Sequence, residues 1–160
     1  MLLFAIIDSV IIHFICRGNA FRSRMAEAYF NSLKIPSVKS ISSGTVAQQH
    51  SKANKPNFIT TQLLLEEHGL KEYTKSHWDQ LTLERLEEGD LTIFLNENVK
   101  DECQKLFGLP GNYIVWDIRD FDETIPTPSS RSSFDKFAKS TYSQISSRVN
   151  DLAKKLSAQS

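Results

Sequence analysis

Residues 8–30, DSVIIHFICRGNAFRSRMAEAYF, join an apolar segment to an amphipathic one through a short polar turn. Residues 8–16 are apolar and rich in β-branched side chains, which predicts a short buried strand. Residues 23–33 carry an apolar stripe at helical spacing, which predicts a helix. The stripe consists of Met25, Ala26, Tyr29, Phe30 and Leu33. A strand that leads through a turn into a helix is typical of parallel α/β proteins.

The alternation of strands and helices continues along the chain. Further strands are predicted at residues 37–43, 91–96 and 112–118, and longer helices at residues 56–68, 99–107 and 134–156. A short helix with Thr82 as its N-cap is predicted within residues 81–90, and residues 45–56 are expected to form a polar loop. This order predicts an α/β fold with three layers, a four-stranded parallel sheet covered by helices on both faces.

Length and composition limit the classes of protein to which the chain can belong. The chain has 160 residues, which predicts a single domain over residues 1–160, with residues 1–7 as an apolar N-terminal addition. Its 19 basic and 19 acidic residues cancel, which argues against a nucleic-acid surface. The apolar run before Asp8 is too short to span a bilayer, so we expect no membrane association. Two cysteines favour a reducing, cytoplasmic setting. His13 is expected to pack in the core, and His50, His68 and His77 lack ligand spacing, so we expect no metal and no cofactor.

The turn at residues 16–23, CRGNAFRS, has the chemistry of an anion site. Gly18 and Asn19 let the chain curl backbone N–H groups inward, and the start of the helix adds positive potential. Arg22 supplies a planar fork that can hold two oxygens of a phosphate. The same field stabilises Cys16 as a thiolate, and Ser23 can donate a hydrogen bond to its sulfur. A thiolate beneath a bound phosphate is a nucleophile for phosphoryl transfer.

These residues carry a family resemblance. The segment CRGNAFRS, followed by MAEA, resembles the C-x-G-N-x-x-R-S loop of the low-molecular-weight protein tyrosine phosphatases, which are related to thiol-dependent arsenate reductases. The segments ISSGT (41–45), LTLERLEEGDLTIFLNEN (81–98) and WDIRDFDE (116–123) are similar to later motifs of that family. The resemblance covers residues 8 to about 123 and implies a phosphotyrosine protein phosphatase I-like fold.

The resemblance also implies roles for individual residues. Cys16 would attack phosphorus and form a cysteinyl-phosphate, and Asp120 would protonate the leaving oxygen and then activate water. Asp117 and Asp122 are the alternatives for the acid. Arg22 would hold the phosphate together with the loop around it. The implied phosphate-binding set is Arg17, Gly18, Asn19, Ala20, Phe21, Arg22 and Ser23.

Several positions depart from the family pattern. Arg24 stands where the family usually has proline, and we expect it, beside Arg17, to make the mouth of the pocket more basic. Phe121 replaces the proline that fixes the backbone after the acid, and it is expected to supply one aromatic wall. The aromatic pair that follows the acid in the tyrosine-specific enzymes is absent, since residues 122–124 are Asp, Glu and Thr. In the loop before the second helix, residues 48–50 are candidates for substrate contact.

The sequence therefore predicts a phosphomonoester hydrolase, with protein-tyrosine phosphate as the favoured substrate. The expected partners are a phosphorylated protein or a small phosphomonoester, with inorganic phosphate as the product. Two alternatives remain. One is an arsenate reductase that uses an external thiol, because Cys103 is the only other cysteine. The other is a catalytically weak module that binds phosphate or phosphopeptides, because Arg24 and Phe121 break the pattern.

Overall fold

The structure is a computed structural model that describes residues 9–121 and 131–158. Its strands are β1 (Val10–Cys16), β2 (Val38–Gly44), β3 (Leu91–Phe94) and β4 (Tyr113–Val115). Its helices are α1 (Arg22–Ser32), α2 (Ala47–His50), α3 (Lys55–Glu67), α4 (Leu83–Glu88), α5 (Glu97–Phe107) and α6 (Arg131–Ala158), with a 3-10 turn at Lys71–Tyr73. The apolar addition at residues 1–7 lies outside the described residues.

All four strands are parallel and follow the order β2-β1-β3-β4, which confirms the predicted sheet. Strand β1 therefore lies in the interior of the sheet and pairs with β2 from Val10 opposite Val38 to Cys16 opposite Gly44. Its carboxyl end is flanked by the ends of two neighbouring strands. A crevice at that edge is the usual place for a ligand in open parallel sheets.

Two separate cores cover the faces of the sheet, as the predicted three layers require. Phe14 of β1 belongs to the larger core, which is built with side chains from α1, α3 and α6. The adjacent Ile15 points to the opposite face and packs in a smaller core with side chains from α4 and α5. Successive strand residues face opposite sides, so one buried strand supports both layers.

The segment predicted as a polar loop differs from the prediction. Residues 47–50 form the short helix α2, and α3 begins at Lys55 with Pro56 in its first turn. Proline favours the first turn because its missing N–H has no partner there in any helix. Elsewhere the predicted capping is confirmed, since the Thr82 hydroxyl accepts a hydrogen bond from the N–H of Arg85.

No helix among residues 9–121 and 131–158 combines the length and apolar character needed to cross a membrane.

Candidate active site

The anion loop (residues 16–22) connects β1 to α1 and encloses the Cys16 sulfur. Ser23 Oγ lies 2.9 Å from Cys16 Sγ, and the N–H of Asn19 donates to the same sulfur at 3.3 Å. Helix α1 begins at Arg22 without a side-chain cap. Its first backbone N–H groups therefore lack a partner within the helix, which is compatible with the predicted anion site.

Asn19 fixes the shape of this loop. Its backbone has a φ of 50°, in the left-handed region that asparagine tolerates better than most residues. Its buried side chain donates to Ser23 Oγ at 2.7 Å and to Ser42 Oγ at 2.9 Å, and accepts from the N–H of Asp79 at 2.8 Å. Because the amide N–H takes up an acceptor position on the Ser23 hydroxyl, the hydroxyl hydrogen is left for the sulfur.

Strand β2 supports the loop from below through Gly44. A Cβ added to Gly44 would lie 2.5 Å from the Arg17 carbonyl oxygen and 2.7 Å from the Asn19 nitrogen. The neighbouring N–H of Thr45 donates to the Cys16 carbonyl oxygen at 3.0 Å. Glycine at position 44 thus permits the close approach of two backbones that places the loop on the sheet.

The Arg22 guanidinium contacts Asp120 and a backbone carbonyl oxygen just before it in the chain. Arg22 is 2% exposed; its Nη1 donates to the Ile118 carbonyl oxygen at 2.8 Å, and its Nη2 lies 3.1 Å from Asp120 Oδ2. A small cavity joins the residues expected to do the chemistry, lined by Cys16, Gly18, Ala20, Phe21, Arg22, Asn54, Asn57 and Asp120. The structure thus brings the thiol, the guanidinium and one carboxylate together.

The other two candidates for the acid have different outcomes. Asp117 is exposed and lines neither this cavity nor its larger neighbour. Asp122 lies outside the described residues, as do residues 123 and 124. Asp120 is therefore the candidate that the described part of the chain brings to the anion loop.

A larger cavity of about 250 Å³ shares Gly18, Asn54, Asn57 and Asp120 with the smaller one. Its lining also includes Phe121, as expected for an aromatic wall, and His50. Gln48 and Gln49, two other candidates for substrate contact, line a different cavity beside Leu106 and Phe107.

The sequence analysis missed Asn54 and Asn57. Within the described residues, their side chains have no hydrogen-bond partner, which leaves both amides available at the rim of the site. The two asparagines are three positions apart at the start of α3, so they face the same side of that helix. Asn57 lies within the predicted helix 56–68 and Asn54 lies just before it, but no sequence pattern indicated that the start of this helix meets the anion loop.

The expectation for Arg24 was wrong. Its side chain is 1% exposed, donates to the Lys75 carbonyl oxygen at 2.6 Å and lies over the Phe58 ring at 5.7 Å. Burial lowers the pKa of Arg24, and Glu27 opposes that shift. The side chain is held in the interior beside α3 and adds no charge to the mouth of the pocket.

Arg17 lines the larger cavity, but its side chain forms an ion pair with a glutamate of α5. Its Nε lies 3.3 Å from Glu102 Oε1, and Glu102 also accepts a hydrogen bond from the Thr45 hydroxyl. Arg17 thus links the anion loop to α5 and to the end of β2.

A network of charged side chains contacts the residues that hold the Asn19 side chain. Lys75 Nζ donates to the Ser42 carbonyl oxygen at 2.6 Å and to Asp79 Oδ2 at 2.5 Å. Burial lowers the pKa of Lys75 and raises that of Glu27. Ser42 and Asp79 are two of the residues that hold the Asn19 side chain. The network therefore supports the residue that shapes the anion loop.

The His13 side chain, on β1, is fully buried. Its Nε2 lies 2.8 Å from Ser43 Oγ, and burial, together with the charges of Arg85 and Lys75, lowers its pKa to about 3. Metal-ligating clusters are not found either: the described residues contain no group of three or more His, Cys, Asp or Glu side chains that could hold an ion.

The chain is similar to a known protein family over nearly all of its length. The family model described as low molecular weight phosphotyrosine protein phosphatase matches residues 11–160. A sequence search of curated proteins finds no match.

Three solved structures show the breadth of the similarity. The YwlE arginine phosphatase from Geobacillus stearothermophilus is 19% identical, with 94% of each chain covered and a TM-score of 0.73. A YwlE mutant from Bacillus subtilis is 25% identical, with 93% of this chain and 99% of that chain covered and a TM-score of 0.72. A thioredoxin-dependent arsenate reductase from Corynebacterium glutamicum is 18% identical, with 94% of this chain and 63% of that chain covered and a TM-score of 0.64.

Proposed function

Since the chain belongs to the low molecular weight phosphotyrosine protein phosphatase family and is a phosphoric monoester hydrolase, we propose that it dephosphorylates protein tyrosine through a cysteinyl-phosphate on Cys16. The main support for the catalytic roles that we propose is that Cys16, Arg22 and Asp120 line the same small cavity. We assign residues 1–160 to one phosphatase domain, of which residues 11–160 match the family model.

In the first step the Cys16 thiolate attacks phosphorus, and the bond between phosphorus and the leaving oxygen breaks. Asp120, in its acid form, gives its proton to that oxygen as the bond breaks. Arg22 and the N–H groups of the anion loop stabilise the equatorial oxygens of the phosphoryl group. The loop set is Arg17, Gly18, Asn19, Ala20, Phe21 and Ser23 together with Arg22.

In the second step water attacks the phosphorus of the cysteinyl-phosphate. Asp120, now a carboxylate, accepts a proton from that water while the sulfur–phosphorus bond breaks. Inorganic phosphate leaves, and the Cys16 thiolate is restored. Ser23, 2.9 Å from the sulfur, stabilises the thiolate when it departs.

The substrate we propose is a phosphorylated protein, with small phosphomonoesters accepted at the same site. Phe121 lines the larger cavity and offers an aromatic edge to a phenyl ring. The compartment we propose is the cytoplasm, because Cys16 and Cys103 are both free thiols.

The test is hydrolysis of p-nitrophenyl phosphate from about pH 4.5 to 8, without added metal, by wild type, Cys16→Ser and Asp120→Asn. We expect turnover by wild type, none by Cys16→Ser, and a loss of about 10²-fold or more for Asp120→Asn. Full activity in Cys16→Ser would exclude the cysteinyl-phosphate. A second comparison, of peptides carrying phosphotyrosine or phosphoarginine, checks the substrate, because one structural relative is described as an arginine phosphatase.

The two alternatives have distinct outcomes in these experiments. An arsenate reductase would consume an external thiol in proportion to arsenate. Cys103 is a poor internal thiol for that reaction, because burial raises its pKa to about 11. A binding module would bind phosphate without turnover. Neither alternative is favoured by a contact in the described residues.

A further inference from the structure

We propose that Phe121 is a positioning residue that places Asp120 for proton transfer, by packing its ring against aromatic side chains of the anion loop and of α6. This inference rests on the proposed role of Asp120 as the acid. The Phe121 ring is 9% exposed. It stacks on Phe134 with ring centroids 4.2 Å apart, and it contacts Phe137 at 4.8 Å and Phe21 at 5.5 Å.

The backbone makes Phe121 a direct handle on the acid. The N–H of Phe121 donates to Asp120 Oδ1 at 2.9 Å, so the carboxylate orientation follows the backbone of the next residue. Proline at this position would fix φ through its ring but would carry no N–H. Phenylalanine keeps the donor and leaves φ free to rotate. The constraint must therefore come from what surrounds the ring.

Phe21 ties this packing to the nucleophile. It precedes Arg22 in the anion loop, lines the small cavity and is 3% exposed. Arg22 also holds the carbonyl oxygen of Ile118, upstream of the acid. The acid segment (residues 118–121) is thus attached to the anion loop on both sides of Asp120. The Arg22 guanidinium holds it before Asp120, and the contact between the Phe21 and Phe121 rings holds it after Asp120.

Helix α6 supplies the other side of the aromatic cluster. Phe134 and Phe137 lie three positions apart near its start, so both rings face the same side of the helix. Each stacked or tilted aromatic pair adds a directional contact beyond simple burial. The C-terminal helix, far from the cysteine in sequence, thereby determines where the proton donor lies.

The test measures how rate depends on the leaving group. Phenolate, with a pKa of about 10, needs a proton in the transition state, whereas the weaker base p-nitrophenolate needs it less. We expect Phe121→Ala to lower kcat/KM for phenyl phosphate about 10-fold more than for p-nitrophenyl phosphate, and Phe134→Ala to act in the same direction.

The controls separate positioning from folding. Phe30→Leu removes packing in the same core on α1, away from the acid segment, and should leave the ratio between the two substrates unchanged. Adding Phe121→Ala to Asp120→Asn should cause less than about threefold further loss, because residues that act as a unit are not additive. If Phe121→Ala fails to fold, Phe134→Leu and Phe121→Leu replace it. The same comparison of kcat/KM between the two substrates is then made, and the loss should again be larger for phenyl phosphate.

Three results would overturn the proposal. They are equal losses on both substrates in Phe121→Ala, a fully additive double variant, or an altered ratio in Phe30→Leu. Failure of the proposed function has a different signature, since wild type would then be inactive, or Asp120→Asn would itself leave the ratio unchanged.

Discussion

Arg22 Nη2 lies 3.1 Å from Asp120 Oδ2, so the proposed phosphate ligand and the proposed proton donor are in direct contact. The other edge of the guanidinium is held by the Ile118 carbonyl oxygen. A phosphate that takes the Arg22 fork must compete with the Asp120 carboxylate for the Nη2 edge. The proposed roles therefore couple phosphate binding and proton transfer through one guanidinium.

Asp120→Asn should bind inorganic phosphate more tightly although it turns over more slowly. Removing the carboxylate charge frees Arg22 and removes repulsion of the anion. We expect the inhibition constant for phosphate to fall about two- to fivefold, the size of a partly exposed ion pair. Competitive inhibition of p-nitrophenyl phosphate hydrolysis measures it. Asp117→Asn, on the exposed face of the same segment, is the matched control and should leave it unchanged.

Asn19 should contribute to stability and to catalysis in separable ways. Asn19→Ala places alanine at a φ of 50°, a left-handed conformation that costs an L-residue about 1–2 kcal/mol and that asparagine tolerates better because its polar side chain can hydrogen-bond locally. Asn19→Gly tolerates that φ but equally lacks the contacts to Ser23, Ser42 and Asp79. We expect similar losses of kcat in the two variants, with the alanine variant less stable in urea. Equal stability would show that the backbone conformation contributes little.

Gly44→Ala should disrupt the anion loop. The added Cβ would lie 2.5 Å from a backbone oxygen of Arg17, so the loop or β2 must shift. We expect weaker phosphate binding and a destabilisation of about 1–3 kcal/mol, the range for overpacking. Gly111→Ala is the matched control, because no atom lies within 4 Å of its added Cβ. Calorimetry with phosphate and urea unfolding measure both effects, and a Gly44→Ala protein that binds phosphate normally would contradict the prediction.

His13 should make the fold less stable in acid. Burial lowers its pKa from 6.5 to about 3, so between these values the unfolded chain binds a proton that the folded chain excludes. Its contribution to the free energy of unfolding is complete above about pH 6.5 and declines below it, by up to about 1.4 kcal/mol per pH unit. His13→Gln should flatten urea-derived stability over this range. An unchanged slope in His13→Gln would contradict the assignment.

The sequence predicted the elements whose signals are local. Residues 10–16 are β-branched and apolar, and Asn19 and Gly18 mark the turn, so strand, loop and helix followed from that stretch. The position of Cys16 beside Arg22 followed from their spacing across the turn. Thr82 was recognised as a cap because a hydroxyl before an apolar run has a specific backbone partner.

The sequence could not predict the contacts that join distant segments. Arg24 was expected at the pocket mouth, but the Lys75 carbonyl oxygen and the Phe58 ring draw it into the interior. Asn54 and Asn57 belong to the site because the start of α3 packs beside Gly18 of the anion loop, which is distant in sequence. The packing around Phe121 depends on α6, which no local pattern connects to residue 121.

The two cysteines lie on opposite faces of the sheet, Cys16 in the larger core and Cys103 in the smaller one. A folded chain therefore cannot join them in a disulfide. A peroxide that converts Cys16 to a sulfenic acid finds no thiol of the same chain to trap it. Protection of the proposed nucleophile through a disulfide therefore requires a thiol from another molecule.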